Sequence, residues 1–440
     1  MKILFISEDL VAGNLAYVLT KEGNDVKLFI QDKNRRGNFE NMVKKVNSWK
    51  KELTWVSKEG LIIFDGCGHG SVQDELREKG YSVVGSSEIG NKLENDRAYG
   101  DLIFKKNGLT TVKVINFNSL QKAINFVKKN RKKWVIKQNS VGTSLKGFNY
   151  VGMLDNADDV IDVLENYKSE TKYGEGIITL QEKIDGIEIA VGRYFNGTDW
   201  VGPLEINLEH KKYFPGDLGP TTSEMGTVAW YDDNDDNKLF QQTLGKLKTY
   251  LQGINFRGDI DINCIVNEKG AFPLEATARF GSPIVHLQTA MHNSKWSDFL
   301  KAVADGKQYD LKWKKGYGVV IVVTVPTSHP FPFTKAERYI SPKGLKIYFS
   351  EEIEKDMKNI HFEDVSLMKK NGKEYYYISD DRGYVLYVTS VKDSVEEARR
   401  DVYSILKDKI FIPKMFYRND IGLKFIETDK DLLEKWGYMK

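Results

Sequence analysis

The chain is poor in the features that mark small secreted, metal-stapled or membrane proteins. Only two cysteines, Cys67 and Cys264, occur in 440 residues, and they flank no metal-ligand spacing. A disulfide framework or a zinc site is therefore not expected. No apolar run approaches the roughly 18 residues of a membrane span, and the opening MKILFISEDL enters a strand-like run without the h-region of a signal peptide. Neither sign of charge dominates: 65 Lys and Arg face 62 Asp and Glu, a formal net charge of +3. So weak a field does not by itself recruit nucleic acid or a membrane surface, and the pairs Lys105–Lys106 and Lys132–Lys133 read as solvated faces. No internal repeat or low-complexity linker interrupts the chain. These absences predict a cytoplasmic protein, with no nucleic-acid and no membrane partner evident.

What is present is ordinary for a globular chain, with 41% hydrophobic and 29% charged residues. At about 150 residues per domain, the length suggests about three domains. Over the first hundred residues, strand-like runs at Ile3–Ile6, Val26–Ile30, Leu61–Phe64 and Tyr81–Val84 alternate with helix-like segments such as Leu15–Lys21, the rhythm of a parallel α/β layer. After Gly108, the runs Trp134–Lys137 and Phe148–Gly152 bracket Ser140–Gly147, a loop of small residues. More strands follow from Ile177 to Ile206, then an irregular stretch, Glu209–Met225, long enough to suggest function. A helix around Lys238–Leu251 precedes two strands, Asp259–Val266 and Phe272–Arg279. Beyond Gly316 a β-rich tail runs to Tyr387, with a helix at Ser394–Leu406.

The densest chemistry lies in DINCIVNEKGAFPLEATARFG. Alternation along a strand puts Asp259, Asp261 and Asn263 on one side and Ile260, Ile262 and Cys264 on the other. The same count groups Glu275, Thr277 and Arg279 against Leu274, Ala276 and Ala278. A shared face of oxygen ligands can hold Mg²⁺, which is usually bound through one or two carboxylates plus substrate phosphates, and Arg279 would then face a transferring phosphoryl group. An amphipathic hairpin with its polar side in water explains the pattern equally well.

Two further segments bear on that choice. Lys137 ends a strand just before a loop in which Gly142, Thr143, Ser144 and Gly147 leave amides free for phosphate oxygens, although a plain hairpin loop reads the same way. In IITLQEKIDGIEIAVG, Gln181, Glu182 and Ile184 could offer adenine a hinge and Glu188 could reach ribose, or the segment is a common strand, turn and strand. The order of these elements lets one ATP touch all three.

With these residues in hand, the chain resembles the ATP-grasp superfamily and, within it, the phosphoribosylamine–glycine ligase family. EHKKYFPGDLGPTTSEMG resembles that family's DHKR and DxGPNTGGMG stretch, and LEATARFG its IEFNCRFG. LENDRAYGDLIFKKNGL is similar to its helix leading into the ATP-grasp domain, and MFYRNDIG to its C-terminal MYYRRDIG. The resemblance implies α/β and α+β architecture: a Rossmann-like N-terminal domain over 1–100, a split ATP-grasp domain over 101–310 with a mobile lid at about 110–190, and a β-rich C-terminal domain over 311–440. It implies ATP and Mg²⁺ as cofactors, with the metal on Glu275 and with Lys137 and Arg279 as catalytic cations.

The resemblance also implies substrate contacts in the long segment: Asp217 for an ammonium group, His210 and Lys211 for phosphate or carboxylate, and Gly219, Pro220 and Thr221 beside them. His69, in the DGCGHG loop Asp65–Gly70, is a further candidate. The chain departs from the family where a GGREHA loop becomes SEDLVAGNLAYVL. An ATP-contacting lysine becomes Asp101, a metal-binding asparagine becomes Thr277, and two glycines become Ser223 and Glu224. Arg97 could replace the lysine charge, and Asp261 or Asn263 the metal ligand. The activity expected is ATP-dependent carboxylate–amine ligation through an acyl phosphate. A relative joining a different amine or amino acid, and a non-catalytic nucleotide-binding protein, stay open at this point.

Overall fold

The computed structural model describes residues 1–139, 149–169, 177–327 and 340–439. In chain order, strands β1 (Lys2–Ser7), β2 (Asp25–Ile30), β3 (Lys44–Lys45), β4 (Leu61–Phe64) and β5 (Val83–Val84) form one parallel sheet in the order β3-β2-β1-β4-β5. β1 and β4 are near-continuous apolar runs because both faces of a parallel sheet are covered, and Ile3 to Ile6 and Leu61 to Phe64 are all buried. Helices α1 (Gly13–Lys21), α2 (Leu53–Val56), α3 (Gly70–Glu78), α4 (Glu88–Asn95) and α5 (Arg97–Lys106) accompany this sheet. The strand order reverses between β1 and β4, so the loops after them open at the crevice where such sheets take ligands. Asp65 ties the two loops together, its Oδ2 accepting from Ser7 Oγ at 2.7 Å and from the Ala12 amide at 3.0 Å.

Strands β6 (Val114–Phe117), β7 (Trp134–Asn139), β8 (Tyr150–Val151) and β9 (Ile177–Glu182) form an antiparallel sheet in the order β6-β9-β7-β8. Helices α6 (Leu120–Lys129) and α7 (Asp158–Ser169) pack on it through Ile124, Val127, Val160 and Leu164 against Trp134, Ile136, Ile178 and Leu180. An eight-stranded sheet contains β10 (Ile187–Asn196), β11 (Trp200–Glu209), β14 (Gly226–Asp232), β15 (Arg257–Asn267), β16 (Gly270–Thr277) and β17 (Tyr317–Thr324). Between β11 and β14 a small hairpin forms from β12 (Lys212–Phe214) and β13 (Leu218–Thr221). Later strands are β18 (Tyr348–Phe349), β19 (Ile360–Phe362), β20 (Val365–Lys370), β21 (Lys373–Ile378) and β22 (Tyr384–Lys392). The large sheet runs β16-β15-β10-β11-β14-β17-β22-β19. Helix Ile284–Met291 covers part of it, burying Leu287 and Met291 against Ala229, Val320, Val322 and Tyr387.

The chain divides into two compact units: Met1–Leu109, Glu188–Cys264 and Leu274–Lys440 form the first, and Thr110–Ile187 with Ile265–Pro273 the second. The parallel N-terminal layer, the antiparallel sheets and the β-rich C-terminal part agree with the expected architecture. Two local expectations change. Glu209–Met225 is not irregular throughout, because Lys212–Phe214 and Leu218–Thr221 pair across a turn in which Gly216 takes φ 71° and Asp217 φ 56°. The expected single helix from Lys238 is broken at Thr243, whose backbone at φ −129° and ψ −98° is far from helical. Among the described residues no helix is long and apolar enough to cross a membrane.

Candidate active site

One polar face of the large sheet gathers side chains from four strands. On β15 the apolar residues Ile260, Ile262 and Cys264 go into the core, so alternation turns Asp259, Asp261 and Asn263 to the other side. There Asn207 Nδ2, from β11, donates to Glu205 Oε2 at 3.1 Å and to Asp261 Oδ2 at 3.3 Å. Gly192 of β10 makes this convergence possible: a Cβ there would stand 3.2 Å from both Asp261 Oδ2 and Glu205 Oε2. Burial first, and then Asp261, push the Glu205 carboxyl well above its usual range; burial, then Glu209 and Asp259, do the same to Asp261. Glu224 is raised by burial and then by Glu209.

Lys211 is the cation at the edge of this face. Its Nζ lies 2.7 Å from Glu188 Oε1, 2.9 Å from Glu209 Oε2 and 3.8 Å from Glu275 Oε1, while Asn263 Nδ2 donates to the same Glu209 oxygen at 3.1 Å. Burial alone would lower its pKa, but Glu209, Glu188 and Glu275 outweigh it and keep the ammonium charged. Glu188, Lys211, Glu275 and Asn263, expected from sequence to serve ribose, substrate and metal, therefore share one cluster.

The donors fit a hard cation. Among the described residues, the buried oxygens Asp261 Oδ1, Asn263 Oδ1, Asn207 Oδ1 and Glu205 Oε1 have no hydrogen-bond partner. Among the described residues no group of three or more His, Cys, Asp or Glu side chains is arranged to hold a metal ion. A magnesium ion would accordingly rest on one or two carboxylates and an amide oxygen, with phosphates completing the shell, which is its usual habit.

Arg279 sits on the other side of Glu275 in sequence. Its Nε donates to Glu94 Oε1 of α4 at 3.0 Å and its Nη1 to the Phe280 carbonyl at 2.8 Å. Glu94 Oε2 also accepts from the Ala278 amide at 2.8 Å and from Cys67 Sγ at 3.1 Å, and burial followed by Glu94 pushes the Cys67 thiol up. Asp96 links α4 to α5, ending the first helix and capping the second by accepting from the Tyr99 amide at 3.0 Å. Beyond it, Arg97 Nη1 is buried without a partner among the described residues, in a small cavity lined also by Glu94, Asp101 and Glu275. On the loop after β4, His69 Nε2 is 2.6 Å from Gln31 Oε1, and burial, then Lys50, lower its pKa.

The long segment is bound to the C-terminal MFYRNDIG stretch. Arg418, 1% exposed, reaches Asp217 Oδ1 at 2.9 Å, Asp420 Oδ2 at 2.7 Å and the Lys212 carbonyl at 2.9 Å. His210 Nε2 accepts from the Gly422 amide at 3.2 Å, its Nδ1 faces the Gly226 carbonyl at 3.2 Å, and desolvation, then Arg418, lower its pKa to about 4. Asp217 thus has a protein partner, and His210 is held by backbone on both nitrogens. Gly219, Pro220 and Thr221 lie exposed on β13.

In the second unit, Lys137 and Gln181 share the sheet face opposite the core, since Lys137 pairs with Thr179 and Gln181 with Val135 while Ile136 and Leu180 point inward. Glu182 pairs with Lys132 at 2.7 Å, and its amide donates to the Lys113 carbonyl at 2.9 Å. Ile184 follows in the turn before β10. Gly142, Thr143, Ser144 and Gly147 lie outside the described residues. Sequence reasoning passed over Glu94, Glu205, Asn207, Glu209 and Arg418. The alternation in LEINLEH could have flagged Glu205, Asn207 and Glu209; nothing local marks Glu94.

Residues 95–285 match the model of the phosphoribosylglycinamide synthetase ATP-grasp (A) domain. The phosphoribosylamine–glycine ligase of Fusobacterium nucleatum is 27% identical over 390 residues, spanning 86% of this chain and 85% of that protein. The crystal structure of the Thermotoga maritima phosphoribosylamine–glycine ligase superposes with a TM-score of 0.68 at 20% identity, covering 96% of this chain and all of that one. A biotin carboxylase from Campylobacter jejuni, solved as a β-γ-ATP complex, gives a TM-score of 0.64 at 13% identity, covering 99% and 98%. Its fold and its sequence together make this chain an ATP-grasp protein similar to the phosphoribosylamine–glycine ligases.

Proposed function

We propose that the chain is a cytoplasmic ATP-dependent ligase that joins a carboxylate to an amine through an acyl phosphate, with glycine and phosphoribosylamine of purine biosynthesis as its substrates. The observation that carries the reading is the acidic sheet face, where Glu188, Glu209, Asn263 and Glu275 gather around Lys211 in a chain with ATP-grasp relatives. A carboxylate resists amines because oxide is a poor leaving group; transfer of the γ-phosphoryl group to it makes phosphate the leaving group instead. Magnesium, when bound, would screen the phosphate charge, with Glu275 and Asp261 or Asn263 as its protein ligands. Arg279 would face the phosphoryl group in flight, where a fixed cation offsets developing charge. Lys137 and the Gly142–Gly147 loop would hold the phosphates, Gln181, Glu182 and Ile184 the base, and Glu188 the ribose.

On this reading the amine and the amino acid bind at the crevice of the parallel sheet, near His69, and at the hairpin that carries Asp217, Gly219, Pro220 and Thr221, with His210 and Lys211 beside it. The expected divisions at 1–100, 101–310 and 311–440 are its functional parts, with 110–190 as lid. ADP release measured with glycine and phosphoribosylamine, against a panel of other amines and acids, tests it. Turnover with that pair well above every alternative is expected; equal or better turnover with another pair would reassign the substrates.

A further inference from the structure

We propose that Glu94 is the positioning residue for Arg279 and that, through Cys67, it couples the Asp65–Gly70 loop to that arginine; this rests on reading Arg279 as the cation at the phosphoryl group. Both carboxylate oxygens of Glu94 are engaged, and by two segments distant in sequence. Oε1 takes Arg279 Nε at 3.0 Å, and Oε2 takes the Ala278 amide at 2.8 Å and Cys67 Sγ at 3.1 Å. A guanidinium is planar, so fixing Nε and Nη1, the latter on the Phe280 carbonyl at 2.8 Å, also fixes where Nη2 points. Among the described residues Nη2 makes no hydrogen bond, which leaves it as the nitrogen available to a ligand.

The third donor gives Glu94 a second role. Cys67 stands in the loop after β4, at the crevice where the parallel sheet reverses its order. That loop is also crowded by Glu8, whose carboxylate occupies the space a side chain at Gly68 would need. A loop bonded to Glu94 and crowded by Glu8 transmits its displacement to the carboxylate that aims Arg279. Ligand binding at the crevice and phosphoryl transfer are thereby linked by one side chain that touches neither substrate.

The test combines kinetics with a spectroscopic readout. E94Q is expected to lower kcat for MgATP-dependent ligation of glycine and phosphoribosylamine roughly 10- to 100-fold, with KM for ATP within about twofold. In a ¹H–¹⁵N spectrum, the Arg279 Nε–H resonance, assigned by its loss in R279A, should shift or vanish in E94Q. E94D keeps the charge and serves if the glutamine variant does not fold; its Nε–H resonance should move and its kcat fall as well. Wild-type kcat in folded E94Q or E94D, with R279A inactive, would overturn the positioning role and leave that of Arg279 standing. Wild-type kcat in R279A would overturn both.

Discussion

Lys211 holds together three carboxylates that would repel one another without it, so its ammonium is a structural cation of this face. Glu275 is the most exposed of the three, with 52% of its side chain open, which suits a ligand that must exchange protein for phosphate partners. Glu275→Gln retains shape but loses the charge; it is expected to abolish ATP turnover while leaving the thermal midpoint within a few degrees, since a half-exposed pair contributes little to stability. Near-normal turnover would remove Glu275 from the metal site.

A second residue-scale prediction concerns pH. Burial first, offset in part by the Ala12 amide and Ser7 hydroxyl, raises Asp65 to about 7 from 3.8. Because the folded value lies above the unfolded one, the protonated form stabilises the fold below about pH 4, and this contribution is lost as pH rises to about 7, at up to about 1.4 kcal/mol per pH unit. Asp65→Asn should flatten that part of the stability profile relative to wild type. Parallel urea-denaturation profiles from pH 4 to 8 for the two proteins would show the Asp65 ionisation to be unimportant.

At the scale of elements, the hairpin β12–β13 owes its position to a partner about two hundred residues away. Arg418 is enclosed, and its removal takes a donor from the Lys212 carbonyl and leaves the Asp420 carboxylate with the Gly216 amide at 2.8 Å. Arg418→Met is expected to cost roughly 2–4 kcal/mol, less than a fully buried pair because Asp217 is 55% exposed. It should also speed amide exchange through Lys212–Thr221 before the rest of the sheet. Unchanged exchange there would mean that the hairpin holds itself. The parallel sheet needs no such prop: the runs at β1 and β4 are buried on both faces, and their apolar content alone marks them in the sequence. The break at Thr243 was not legible, since the residues around it are compatible with helix and only packing decides their backbone.

For the whole molecule, a ligand that binds only the folded chain stabilises it by mass action. MgATP at about one hundred times its Kd should add about 2.7 kcal/mol, read as a rise in thermal midpoint, and Lys137→Ala should reduce that rise at equal nucleotide concentration. An undiminished rise would place the phosphates elsewhere.

The sequence by itself determined the class of the molecule and the order of its parts. Apolar periodicity specifies which runs become strands, alternation in DINCIV specifies which side chains share a face, and the four family-like stretches stand in their expected order. All of these are local properties or properties of order. The partners of those side chains were decided only by the tertiary structure. Lys211 meets Glu188, Glu209 and Glu275; Asp217 and His210 meet the MFYRNDIG stretch; Arg279 meets Glu94. Apart from Glu209, two residues from Lys211, these partners lie far apart along the chain, and an ion pair depends on a distance of a few ångströms that no local pattern encodes. Charge and spacing announce that a residue has chemistry to offer, and the fold chooses what receives it.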